Sequence, residues 1–153
     1  MDRLKLSNSR FDSTTWTVLS LWEAYEKGKI CFDEQPTPET YYSEDELIKC
    51  SEIIENMMIR LPMPPIYLQE NKDNGFEVIR GCYNFAALYL CRNNILKFSG
   101  FNYYPELNGK IYKQMPRQFQ RRIEQYNWPI VILRLEMYHH NTEDAIDRVL
   151  RMD

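Results

Sequence analysis

The stretch "NWPIVILRLEMY" constrains the fold more than any other part of the chain. Its residues 129–137 predict a strand with apolar side chains at both odd and even positions. A strand of that kind must be covered on both faces, so it belongs in the interior of a sheet packed with helices. It is too short to cross a bilayer, which takes roughly 18 apolar residues or more. No other run comes closer to that length. The start, "MDRLKLSNSRFDS", lacks the apolar core of a signal peptide. The expected setting is the cytoplasm, with no membrane partner.

The remaining elements follow from local signals. A helix is predicted over 44–60, where Ser43 and Glu46 make a capping box. Ile48, Ile54, Met58 and Leu61, with Leu47 and Met57 beside them, supply its apolar face. "LPMPP" stops it, since proline removes donors and pushes its predecessor out of helical space. "IYLQE" and "FEVIR" then read as strands around the turn "NKDNG". A helix is expected over 83–93, and a second over 116–126 with Pro116 in its first turn and Phe119, Ile123 and Tyr126 facing inward. "STTWTVLSLWEAYEKGKI" predicts a short strand and a helix capped by Ser20 and closed by Gly28 in a left-handed conformation. Asn141 or Thr142 caps a last helix carrying Ile146, Val149 and Leu150. Residues 1–13 are polar and are expected to form a flexible N-terminus, with 14–153 a single domain. The class is α+β, a small mixed sheet surrounded by helices.

The composition fits one globular domain: 153 residues, 44% apolar and 27% charged, with a net charge of −3. That charge excludes wrapping of nucleic acid over a large basic face but leaves room for a local patch. "KIYKQMPRQFQRR" is such a candidate, with Lys113, Arg117, Arg121 and Arg122 as possible nucleic-acid contacts and a solvated helix face as the plainer reading. Cys31, Cys50, Cys82 and Cys91 form no CxxC pair, so free thiols and no metal site are expected. His139-His140 reads as part of a strand-end loop. The tyrosines, among them Tyr67, Tyr103 and Tyr104, suit amphipathic core and rim positions or a stacking surface.

"FEVIRGCYNFAALYL" raises the functional question. A strand, a glycine and a helix start can hold phosphate, because the glycine admits close approach and the helix offers N–H groups and a positive dipole end. Yet the turn carries Arg80, Gly81, Cys82, Tyr83 and Asn84, with no acid.

"SEIIENMMIRLPMPPIYL", "GFEVIRGCYNFAAL" and "AIDRVLRMD" occur in that order, with "YPELNGKIYKQMPRQFQRRIEQYNWPIVIL" between the last two. Together they resemble the N-terminal domain of GmrSD-type, modification-dependent restriction systems, over about residues 14–153. The resemblance implies a ParB/sulfiredoxin-like fold and binding and hydrolysis of a nucleoside triphosphate with magnesium. It places Arg80, Gly81, Cys82, Tyr83, Asn84, Glu55, Arg151 and Asp153 at the nucleotide. Here the family's Asp-Gly-Gln-Gln-Arg is altered: Arg80 stands for the acid, Cys82 and Tyr83 for the glutamines and Asn84 for the arginine. Asp153 stands for the family's final asparagine, and the early Tyr-Gln-Arg loop is reduced to Gln35.

Losing the acid and the arginine removes groups worth several kcal/mol each in phosphoryl transfer. Little or no catalysis is therefore expected. Two readings stay open. One is a nucleotide- or DNA-sensing regulatory module of a phage-defence system, working with a separate nuclease subunit. The other is a non-enzymatic protein-interaction module on the same scaffold. A third and remoter one is a thiol chemistry at Cys82, which matches the cysteine of sulfiredoxin's Gly-Cys-His-Arg turn although Asn84 replaces its arginine. No nuclease signature is visible. A piece of a longer nuclease-bearing protein and a stand-alone homologue are both open.

Overall fold

The computed structural model describes residues 9–32, 43–135 and 147–151. Strand β1 (Ser9–Thr17) leads directly into helix α1 (Val18–Glu26), followed by the two-residue strand β2 (Ile30–Cys31). Helix α2 (Glu44–Met58) precedes a hairpin of β3 (Ile66–Glu70) and β4 (Phe76–Arg80). Helix α3 (Cys82–Arg92), two short 3-10 turns, helix α4 (Arg117–Glu124) and strand β5 (Asn127–Leu135) complete the ordered elements, and residues 147–150 are helical.

The five strands form one mixed sheet in the order β1-β5-β3-β4-β2. β5 runs antiparallel to β1 and parallel to β3, while β4 is antiparallel to β3 and parallel to β2. The α+β class is as the sequence indicates. β5 lies inside the sheet, with β3 at its middle. Trp128, Ile130 and Ile132 of β5 join Ile66, Leu68 and residues of all four helices in one apolar core. Leu133 points to the opposite face by strand alternation. It has no exposure and does not belong to that core, so the sheet is covered there as well. This explains the unbroken apolar run in the sequence.

Several sequence expectations need correction. The strand starts at Ser9, so residues 9–13 belong to the sheet rather than to a flexible tail; residues 1–8 lie outside those described. The polar residues around Phe11 hide the strand locally, but nine residue pairs with β5 define it. The cap of α1 is Thr17, whose Oγ1 accepts from Ser20 N at 3.1 Å. Ser20 cannot cap a helix it already lies within. In α2, Ser43 Oγ accepts from Glu46 N at 3.3 Å, the serine half of the expected capping box, but Ile48 and Leu61 are 44% and 45% exposed. Leu61 lies beyond the turn that ends the helix and so leaves the buried stripe of Cys50, Ile54, Met57 and Met58. Pro116 is the N-cap of α4 rather than a first-turn residue. The expected last helix falls mostly outside the described residues; within 147–151, Val149 is buried and Leu150 exposed.

Donors that close the proline run come from the approach to β5. Tyr126 Oη donates to Leu61 O at 2.6 Å and Trp128 Nε1 to Pro64 O at 3.0 Å. A segment with carbonyls but few N–H groups is thus held by side chains some 60 residues away along the chain.

Candidate functional site

At the β4–α3 turn, Gly81 adopts φ +88°, ψ +22°, and α3 begins without a side-chain cap. The space a Cβ would fill at Gly81 lies 3.1 Å from Ile66 Cα and 3.4 Å from Pro65 O. The glycine therefore serves the close approach of β3 to the turn. Arg80 Nη1 donates to Val149 O at 2.8 Å, docking the 147–151 segment onto β4. Tyr83 Oη donates to Glu46 O at 2.9 Å and receives the Cys50 thiol at 3.7 Å, tying the start of α3 to α2. Cys82 is exposed and Asn84 half-buried.

Glu55 lies elsewhere. Tyr83 touches Glu46, nine residues earlier on α2, and nine residues of helix span about 13 Å. The Glu55 carboxylate is buried and accepts three backbone N–H groups: Asn102 at 3.1 Å, Tyr103 at 2.9 Å and Tyr104 at 3.2 Å. It organises the 102–104 loop. Arg151 is exposed and bonds Asp147 O of its own segment through Nε at 3.1 Å. Arg80 reaches that same segment, so these two arginines share a neighbourhood that Glu55 does not. Asp153, Gln35, His139 and His140 lie outside the described residues. Among the described residues no group of three His, Cys, Asp or Glu side chains could hold a metal ion.

Among the described residues, two clefts lie away from the turn. A wide one of about 590 Å³ runs between α2 and the 97–100 loop, lined by Leu47, Ile48, Phe98 and Gly100, with Glu44 and Lys97 at its rim. A narrow one of about 40 Å³ lies between α1 and α3, against Trp22 and Tyr25. Neither is lined by Gly81, Glu55 or Arg151.

The basic run divides. Arg117 is bidentate to Glu124 at 2.5 and 3.0 Å, and Tyr112 Oη donates to the same carboxylate. Burial and Glu124 push the Tyr112 phenol well up, so it stays a donor. Burial would raise Glu124, but the hydrogen bonds from Arg117 and Tyr112 outweigh it and hold the carboxyl below its usual value. Arg117 is therefore a structural cation. Arg121 and Arg122 are exposed, and so is Lys113, whose backbone N–H bonds Asn94 Oδ1. Arg60 escaped sequence reasoning. Its Nη1 donates to Arg122 O at 3.3 Å, bringing a second cation beside α4. Nothing local in the sequence signals this contact, since "LPMPP" shows only where the helix stops.

Burial raises the Cys50 and Cys91 thiols, so both are weak nucleophiles. No helix among the described residues is long and apolar enough to cross a membrane. No family model, no curated protein and no solved structure matches the chain.

Proposed function

We propose that the chain is a non-enzymatic interaction module on a ParB/sulfiredoxin-like scaffold, a cytoplasmic part of a restriction-like defence system. The observation that carries this reading is the engagement of the polar groups within the fold. Glu55 accepts three backbone donors, and Arg80 holds Val149 O. A carboxylate so held is a poor magnesium ligand, and Arg80 is directed to the chain's own segment. The cleft beside α2, with exposed Ile48 at its edge, is a surface for a protein partner such as a nuclease subunit.

A second reading is favoured by one feature. Gly81 leaves α3 without a side-chain cap, so its dipole end could still attract phosphate, and a nucleotide would then be sensed without being cut.

The test is a thermal-shift titration with ATP, GTP, CTP and UTP, with and without magnesium, alongside phosphate release. No turnover and no shift are expected. A ligand at about 100 times its Kd would add about 2.7 kcal/mol, visible as a shift of several degrees. Such a shift without turnover would replace the first reading with the second. Turnover would overturn both.

A further inference from the structure

The end of α2 holds an unusual residue for its backbone. Arg60 N donates to Met57 O at 3.1 Å and Leu61 N to Asn56 O at 2.9 Å, the paired bonds of a Schellman turn. Arg60 sits at its left-handed position with φ +64°. α1 and α3 end in the same way, with Gly28 at φ +77° and Asn94 at φ +60° in that place. Glycine and asparagine tolerate this region; an arginine gains nothing from it. A backbone outlier kept by a long cationic side chain points to the side chain's use.

That side chain is held but not consumed. Arg60 bonds Arg122 O through Nη1 alone. Arg122 uses its own Nη1 for Met58 O at 3.2 Å and Tyr104 Oη at 3.3 Å. Among the described residues both guanidiniums keep Nη2 for another acceptor, and exposed Arg121 is the residue before Arg122 on α4. Among the described residues no carboxylate comes within ion-pair distance of Arg60, Arg121 or Arg122. Next to Tyr104, Tyr103 is 67% exposed while its backbone is fixed by Glu55.

We propose that Arg60, Arg121 and Arg122, with Tyr103, form a site for single-stranded nucleic acid. The guanidinium forks match phosphate oxygens, and the exposed Tyr103 ring, on a backbone anchored by Glu55, offers a stacking face for a base. The inference needs only this geometry and is independent of the family reading. The chain's net charge of −3 makes the contact local, and its arginine–phosphate pairs make it dependent on salt.

Fluorescence anisotropy with a labelled oligothymidylate and a matching labelled duplex, across a salt series, tests it. The single strand should bind at low salt and more tightly than the duplex. Arg60→Gln combined with Arg122→Gln should weaken binding and flatten the salt dependence by roughly one unit of slope per arginine. Arg121→Gln should flatten it by about one unit, and this variant removes no hydrogen bond from the described fold. Tyr103→Ala should weaken single-strand binding about tenfold with the slope unchanged. Lys72→Gln, in the β3–β4 loop, should bind as the parent does. Absence of binding at low salt, equal affinity for the duplex, or an unchanged Arg121→Gln variant would overturn the proposal.

Discussion

The start of α3 and the end of α2 each combine a helix terminus, a left-handed residue and an arginine, and they are built in opposite ways. At the start of α3 the glycine admits the β3 backbone, Arg80 grips Val149 O and Tyr83 grips α2. At the end of α2 a residue poorly suited to its conformation stays in place, and two guanidiniums each bond through one terminal nitrogen. A sequence motif marks the first place and no motif marks the second. The difference is that the first place spends its side chains on joining elements of the fold, while the second leaves guanidinium donors over.

The sharpest way to break this comparison is Glu55→Ala. It takes the acceptor from three part-buried backbone N–H groups and should cost about 4 kcal/mol, lowering Tm by roughly 10 °C. A loss of under about 1 kcal/mol would mean the carboxylate is not structural and is available to a ligand. Gly81→Ala comes next. Left-handed strain and the 3.1 Å approach to Ile66 should together cost about 2–3 kcal/mol by denaturant unfolding. A neutral result would mean the glycine is kept for something other than β3.

Smaller is the acid dependence at Glu124. Its folded pKa is held below the ordinary 4.5, so the stabilisation is present above that pH and is lost as pH falls through the folded value. Glu124→Gln should flatten this acid limb in a pH series of thermal melts; an unchanged limb would remove Arg117 from the structural cations and return it to the basic surface. Smallest is Arg60→Gly. Relief of left-handed strain, worth about 1 kcal/mol, offsets the lost bond to Arg122, so unfolding should shift by no more than that. Unimpaired folding together with weakened oligonucleotide binding would sharpen the contrast between the two helix ends.

The sequence made legible whatever depends on neighbours a few residues apart. Ser43 capping Glu46 N, the Asn74-Gly75 hairpin, the proline stop and the left-handed Gly28 all act within one turn of chain. What escaped depends on distant partners. Ser9–Ser13 become a strand only because β5 lies alongside them. β2 exists through two residues paired with β4. Thr17 caps α1 because the strand hands over there, with Val18 N bonded to Tyr126 O. At the candidate site, the turn's shape was readable and the fate of its side chains was not. Glu55 meets the 102–104 loop and Arg80 meets Val149, contacts that no local pattern encodes.

The antiparallel pairing of β1 with β5 also sets a schedule. The first described strand waits for the last, and β3 waits for β5 as well. Contacts so far apart in sequence close slowly. During synthesis, β1 and the hairpin emerge long before the strand that joins them, with their edges open to other chains. Until β5 is available to pair with both β1 and β3, the sheet stays in separate pieces.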